Sequence, residues 1–162
     1  MPFLDLIAKF TDAVEAGDGA ALAALFTDDG VYHDTFYGEF QGRAAIQDML
    51  ENHFWRDAQA FRWDMREPVE ANGIGYTNWS FSYASRLPGV EGRRIVFEGM
   101  SRFRLSGALI ERYDEVFDMG IALSQTAFAP ERIAKIVGKA GTALRARHAG
   151  TRHIADESPN RS

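Results

Sequence analysis

The chain has 162 residues, enough for one domain with a core of its own. Its formal net charge of −5 and its lack of a basic stripe argue against a nucleic-acid partner. The absence of cysteine excludes disulfides, thiol catalysis and cysteine-ligated metals. The N-terminus does not have the pattern of a secretory signal, and no apolar run approaches the ~20 residues that span a bilayer. We therefore expect a cytoplasmic protein with no membrane partner.

Three helices are predicted in the first third of the chain. The first starts near Pro2 and stops at Gly17, and its buried face is made of Phe3, Leu6, Ile7, Phe10 and Val14. Asp18 can cap a short second helix, which ends at the TDDG stretch, and the VYHD stretch after it is typical of a strand. A third helix is predicted after Gly42, with a buried face made of Ile46, Met49 and Leu50.

The next part of the chain alternates apolar and polar residues, which predicts a run of antiparallel strands. The first of these strands is expected to end at Pro68. The alternating positions, from the first strand to the last, are Phe61, Trp63, Met65, Thr77, Trp79, Phe81, Tyr83, Ile95, Phe97, Gly99, Ser101, Phe103, Leu105, Tyr113, Glu115 and Phe117. A final helix is predicted over residues 130–147, with Pro130 at its start.

Helices followed by strands indicate an α+β fold. We place the main domain at residues 1–128, a C-terminal helix at 129–147 and a flexible tail at 148–162. The sequence leaves open whether the C-terminal helix covers a ligand site, extends a dimer or packs on the sheet.

The order of the elements, together with the segments EAGD, LFTDDG, GRAAI and RFRL, resembles the nuclear transport factor 2-like superfamily over roughly residues 3–128. That superfamily includes ketosteroid isomerase, limonene epoxide hydrolase and the SnoaL-like polyketide cyclases. The resemblance implies a cone, in which a curved antiparallel sheet packs on three N-terminal helices and the C-terminal helix is an addition. It also implies an apolar pocket in the mouth of the cone and a homodimer.

Two carboxylates are candidates for the pocket. Tyr32 and Asp34 are two residues apart and share one face of a strand, as Tyr113 and Glu115 do on another. Asp34 could instead cap the turn that follows it, and a one-residue change of register would replace Glu115 with Asp114. His33, between Tyr32 and Asp34, should point away from the pocket.

An aromatic surrounding would suit these carboxylates for acid–base chemistry. Aromatic residues make up 12% of the chain, and large rings fill a core or line a cavity for apolar ligands. Rings around a carboxyl group disfavour its charged form and raise its pKa, which suits it to take up and return a proton near neutral pH. Two carboxyl groups in different surroundings can divide the roles of base and acid.

The resemblance to ketosteroid isomerase implies roles at three positions. Asp34 aligns with the general base of that enzyme, Phe10 with its oxyanion-hole tyrosine and Ser101 with its protonated aspartate. Phe10 cannot donate a hydrogen bond, and Ser101 is only a weak donor. The base is therefore matched and the oxyanion hole is not, which argues against classical steroid isomerisation.

The resemblance to limonene epoxide hydrolase is also partial. Tyr32 and Asp34 resemble the tyrosine and asparagine that hold the attacking water. Trp79 and Phe81 occupy the positions of an arginine and the first aspartate of its relay, and Glu115 that of the second aspartate. Without the arginine, epoxide hydrolysis by that relay is not expected.

The SnoaL-like cyclases need only a shaped cavity and a group that moves a proton. Of the three resemblances, this one therefore agrees best with the residues present. It implies a flat, polyketide-like substrate, against which Trp79, Phe97 and Tyr113 could stack. The predicted catalytic residues are Asp34 as base, Tyr32 as its orienting group and Glu115 as a second acid–base group. The predicted substrate-binding residues are Phe10, Trp55, Trp63, Trp79, Phe81, Tyr83, Phe97, Ser101, Phe103 and Tyr113.

We therefore predict an enzyme that uses no cofactor and no metal and that acts on a small apolar or polyketide-like molecule by proton transfer. The alternative prediction is a module of the same fold that binds a small molecule, or mediates assembly, without catalysis. The lack of a donor at Phe10 favours the module, and a carboxylate beside Tyr32 favours the enzyme.

Overall fold

The computed structural model describes residues 2–155, and the chain divides into two compact units. The first unit spans Met1–Ala127, and the second begins at Phe128. The second unit contains the predicted C-terminal helix, α6, over Pro130–Arg147, followed by hydrogen-bonded turns up to Ala155. Residues 156–162 of the predicted tail lie outside the described residues. Among residues 2–155, no helix combines the length and the apolar character that a membrane span requires.

The first unit is built on one curved, open sheet of six strands in the order β2-β1-β6-β5-β4-β3. The strands are β1 Phe26–Asp34, β2 Gly38–Gln41, β3 Ala58–Ala71, β4 Ile74–Ser85, β5 Arg94–Ser106 and β6 Leu109–Phe117. Neighbouring strands are antiparallel except β1 and β6, which are parallel. The α+β fold is confirmed, but the sheet is mixed rather than antiparallel throughout. Local alternation does not show this, because β1 and β6 are distant in sequence and pair only in the folded chain.

Helices pack on the inner side of this sheet. They are α1 Pro2–Ala16, α2 Gly19–Ala24, α3 Arg43–Asp48, α4 Trp55–Asp57 and α5 Met119–Ser124. Asp18 caps α2, as predicted, by accepting a hydrogen bond from the Ala21 N–H. Short β2 and α5 were not predicted, because segments of four and six residues carry too little periodicity.

The third predicted helix changes its winding halfway. After α3 the backbone forms a π-helical turn over Met49–Phe54 and only then continues into α4. Such turns are rare and occur often at functional sites. At the end of this turn the ring of Phe54 lies 6.3 Å from the ring of Tyr32 and 5.8 Å from the ring of Tyr37.

The strand predicted to end at Pro68 continues to Ala71. Its pairing with β4 shifts between Arg66 and Val69, and Glu67 adopts a left-handed φ of 51°. Proline has no N–H to donate to the neighbouring strand, so the ladder is interrupted by a bulge at this point and resumes beyond it.

The core lies between the helices and the inner face of the sheet. The predicted alternation holds: the inward-facing residues of β4, β5 and β6 are mostly buried and their neighbours are more exposed. The fully buried rings among the described residues are those of Phe10, Phe26, Tyr32, Trp79, Phe103 and Tyr113. Burial of each such side chain contributes roughly 1.5–3 kcal/mol, so these rings are a main source of stability.

Candidate active site

The parallel pairing of β1 with β6 brings the two predicted carboxyl groups together. Tyr32 lies directly opposite Tyr113 in this pairing. Asp34 and Glu115 each follow two residues later, so their side chains point from adjacent strands into the same interior. Asp34 is 5% exposed and Glu115 is 8% exposed, and the two tyrosines are fully buried.

Asp34 is both a turn residue and a buried group. Its Oδ1 accepts hydrogen bonds from the backbone N–H groups of Phe36 and Tyr37, each at 2.8 Å. The same carboxyl group is hydrogen-bonded to that of Glu115. Asp34 therefore caps the turn that follows it and is buried as well, and its place in a ligand pocket stays a prediction.

Glu115 is held by one donor on each oxygen. Its Oε1 accepts from the Thr35 backbone N–H at 3.1 Å, and its Oε2 accepts from the Tyr113 hydroxyl at 3.0 Å. The Thr35 hydroxyl also donates to the backbone carbonyl of Glu115 at 3.3 Å. These contacts fix the carboxyl group against the end of β1.

Burial raises the pKa of both carboxyl groups, because desolvation disfavours their charged forms. The pKa of Glu115 rises well above its usual range, and the nearby charge of Asp34 raises it further. The backbone donors of Tyr37 and Phe36 and the hydrogen bond with Glu115 limit the rise in the pKa of Asp34. Two negative charges are unfavourable so close together in the interior, and these causes favour a proton on Glu115 over one on Asp34.

The hydroxyl of Tyr32 is buried beside this pair and has no hydrogen-bond partner among the residues that the structure describes. Its ring lies 4.5 Å from that of Tyr113 and stacks on Phe10 at 5.9 Å. Burial, followed by the charges of Glu115 and Asp34, raises the pKa of Tyr32 well above its usual range. Tyr32 therefore keeps its proton and has a hydroxyl donor beside the carboxyl pair and the Tyr113 side chain.

Ser101 joins this group through Tyr113. The Ser101 Oγ lies 2.8 Å from the Tyr113 hydroxyl and accepts a hydrogen bond from the Trp79 indole N–H at 2.7 Å. Ser101 was predicted to contact substrate weakly. In the structure its hydroxyl instead contacts two other predicted site residues and no open space.

The predicted substrate-binding residues fall into a deeper group and a shallower group. The deeper members are at most 5% exposed and pack against one another; they are Phe10, Trp63, Trp79, Ser101, Phe103 and Tyr113. Trp79 and Tyr113 are covered by neighbouring rings in this arrangement, and their stacking against a flat substrate stays a prediction. Alternation identifies the inward face, but whether rings on that face meet or leave a cavity depends on their packing.

The remaining predicted residues lie in a second group of rings, nearer the surface. Trp55 and Tyr83 are half-buried, and Phe81 and Phe97 are 8% and 7% exposed. These rings contact two half-buried residues outside the predicted set: Phe97 lies 4.5 Å from Phe117, which lies 5.1 Å from Phe36. Phe117 and Phe36 are each two residues from a carboxyl group of the pair, and this spacing was the signal that could have identified them.

The outer face of the sheet carries the other charged residues of β1 and β6. Asp114 accepts hydrogen bonds from Arg102 at 2.7 Å and from Arg112 at 2.9 Å, and His33 Nδ1 lies 3.4 Å from its Oδ1. The register therefore places Glu115 inside and Asp114 outside. His33 points away from the carboxyl pair, as predicted.

Comparison with known proteins agrees with this architecture. The profile of the SnoaL-like domain family matches residues 7–113. No curated protein sequence matches the chain. Several solved structures have the same fold at low sequence identity, and at that identity they inform on the fold alone.

Three of these structures illustrate the different kinds of protein that share the fold. A protein with a ketosteroid isomerase-like fold from Catenulispora acidiphila DSM 44928, solved with trimethylamine, has a TM-score of 0.70 at 15% identity, covering 78% of this chain and 95% of that one. A candidate polyketide cyclase from Xanthomonas campestris pv. campestris has a TM-score of 0.63 at 20% identity, covering 76% and 96%. An LEH-like epoxide hydrolase from M. tuberculosis has a TM-score of 0.63 at 15% identity, covering 85% and 96%.

The family match spans most of the first unit, from within α1 through β5 to the first part of β6. Its last residue is Tyr113, which donates to Glu115. The solved structures share the curved sheet with its helices. The chain therefore belongs to the SnoaL-like domain family, within the nuclear transport factor 2-like superfamily.

Proposed function

We propose that the protein is a cofactor-independent acid–base enzyme that moves a proton on a small apolar or polyketide-like molecule. The observation that carries this proposal is the buried carboxyl pair, in which Asp34 and Glu115 point from adjacent strands into an aromatic core and burial raises the pKa of both groups. Burying a charge is costly, and a fold that needed only stability would be served by apolar residues at these positions.

The pair suits proton abstraction from a carbon atom next to a carbonyl group. Asp34 takes the proton from carbon, and the electrons of the broken C–H bond move onto the carbonyl oxygen. The hydroxyl of Tyr32 donates a hydrogen bond to that oxygen as it becomes negative. Asp34 then returns the proton to the product, and Glu115 keeps its own proton throughout.

In this proposal Tyr32 supplies the hydrogen-bond donor for the negative oxygen, a role for which no residue was predicted from the sequence. The resemblance to ketosteroid isomerase implies a donor at the position of Phe10, which is a plain aromatic ring here. The Phe10 ring is parallel to that of Tyr32 within 6°. The two rings stack, so the hydroxyl of Tyr32 on β1 lies beside the position that Phe10 occupies on α1 and can support the same chemistry.

A second candidate function is a binding module without catalysis. It is favoured by the packing of the deeper rings against one another and by the use of Asp34 Oδ1 in the turn. In such a module the half-buried rings around Phe97 would hold the ligand, and the carboxyl pair would be structural.

The two candidates can be separated by carbon-acid exchange. The protein would be incubated in D₂O with a panel of small ketones, β-diketones and phenolic polyketide fragments, and deuterium uptake would be followed by mass spectrometry. We expect exchange above the buffer rate for members of the panel. Asp34→Asn, which removes the base and keeps the shape, should lower the rate about 10²–10⁴-fold.

Glu115→Gln is the matched comparison, because it keeps a neutral group that can donate to Asp34. We expect this variant to retain more exchange than Asp34→Asn. Exchange that is unaffected by Asp34→Asn would contradict the proposal, as would ligand binding without any exchange; the second result would support the binding module.

A further inference from the structure

We propose that Trp79 and Ser101 are positioning residues for the acid–base pair, acting through the Tyr113 hydroxyl. The proposal rests on the proposed function and adds residues that never touch the substrate. Trp79, Ser101 and Tyr113 are at most 2% exposed, and their polar atoms form a continuous chain to Glu115.

The donors of the chain point toward Glu115. The indole N–H of Trp79 can donate but cannot accept, so Ser101 Oγ is its acceptor at 2.7 Å. Tyr113 donates its one hydroxyl proton to Glu115 Oε2 at 3.0 Å. In that arrangement the 2.8 Å contact between Ser101 and Tyr113 has the Ser101 hydroxyl as its donor.

The starting point of the chain is held in place by close packing. A Cβ atom added at Gly99 would lie 2.5 Å from Cζ2 of Trp79 and 2.6 Å from the Val116 carbonyl oxygen. The backbone at Gly99 thus lies against the indole ring, which cannot shift away from Ser101 in that direction. The ring is also packed edge-on against Trp63 and Phe97.

The chain of hydrogen bonds affects the pKa of Glu115. The Tyr113 hydroxyl favours the charged form of Glu115 and so opposes the rise in its pKa that burial causes. Each donor in a chain polarises the next, so Ser101 strengthens the bond from Tyr113 to Glu115. Trp79 and Ser101 thereby keep the Glu115 proton within reach of exchange with Asp34.

Nuclear magnetic resonance on the full chain, without substrate, tests this proposal. The carboxyl carbon of Glu115 and the indole N–H of Trp79 would be followed through one pH titration. We expect the indole resonance to move with the same midpoint as Glu115. In Tyr113→Phe this response should vanish, and the pKa of Glu115 should rise by about one to two pH units. Ser101→Ala should raise that pKa by about 0.1–0.7 pH unit.

Thr77→Val is the matched control. Thr77 lies opposite Ser101 across β4 and β5 and is 1% exposed, but its hydroxyl donates only to backbone carbonyl groups. Its removal should leave both titrations unchanged. The proposal is overturned if the indole resonance of Trp79 does not change as Glu115 titrates. It is also overturned if the indole resonance still changes with the Glu115 titration in Tyr113→Phe. Because these readouts need no turnover, they stay separate from the deuterium-exchange result for Asp34→Asn.

Discussion

The carboxyl groups of Asp34 and Glu115 are held by different kinds of partner. Asp34 accepts two backbone N–H groups from its own turn, which stabilise its charged form. Glu115 accepts one backbone donor and one tyrosine hydroxyl, and it faces the charge of Asp34. This difference decides which of the two carries the proton and hence which of them can act as the base.

The raised pKa of Glu115 leads to a prediction about stability. The folded chain holds the Glu115 proton more tightly than the unfolded chain, in which its pKa is close to the ordinary 4.5. The stabilisation that this proton provides is complete below that value and is lost as the pH rises through the folded pKa. Relative to Glu115→Gln, the free energy of unfolding of the parent chain should fall with pH by up to about 1.4 kcal/mol per pH unit.

Urea unfolding at several pH values would measure this difference. Glu111→Gln is a suitable control because Glu111 lies on the same strand, is 48% exposed and pairs with Arg104. A surface pair of this kind contributes about 0–1 kcal/mol, so this variant should show little of the pH dependence. Parallel pH curves for the parent chain and Glu115→Gln would refute the assignment of the proton to Glu115.

At the scale of elements, the pairing of the edge strand β3 with β4 is interrupted at two places. Its pairing with β4 shifts once between Gln59 and Arg62 and again between Arg66 and Val69. Ala60 and Glu67, one in each interruption, both have a φ of 51°. A residue with a side chain pays roughly 1–2 kcal/mol for a left-handed backbone, so both bulges are held by their surroundings.

Substitution of Ala60 tests this account of the first bulge. Ala60→Gly should leave the free energy of unfolding unchanged or raise it by up to about 1 kcal/mol, because glycine adopts the left-handed region without strain. Ala71→Gly, the same change in the extended part of β3, should lower it by about 0.5–1 kcal/mol. Equal losses for both variants, measured by urea unfolding, would show that the backbone at Ala60 is not strained.

At the scale of the whole molecule, the described hydrogen-bond partners of the carboxyl pair belong to the first unit. The hydrogen-bond partners of Asp34 and Glu115 in the structure lie between β1 and β6, before Ala127. The role of the helix α6 is therefore separable from the chemistry proposed here. The homodimer stays a prediction, as does any part of α6 in forming it.

Removal of the residues after Phe128 should leave the Glu115 titration unchanged, because no described partner of the pair is lost. The same two samples would be compared by light scattering. We expect twice the chain mass of 18.1 kDa for the full chain. A truncated chain that is folded but titrates differently would contradict the independence of the site, and a monomeric full chain would exclude the homodimer.

Much of the fold follows from local pattern in the sequence. Period-two alternation identified the inward faces that carry Asp34 and Glu115, because successive side chains of a strand point to opposite sides. Helical spacing and caps located α1, α2 and α6. The π-helical turn after α3 and the bulges of β3 were not predicted from local pattern, because packing against other elements determines them.

The site itself was decided by tertiary structure. Tyr32 meets Tyr113 because β1 and β6 pair in parallel, and Thr35 bonds Glu115 across 80 residues of sequence. No local pattern encodes such a pairing, since it depends on the combined contacts of the whole sheet. The sequence by itself determined which residues face inward. Only the folded chain decided that the deeper rings pack against one another, that Asp34 and Glu115 are buried side by side and that burial raises the pKa of both.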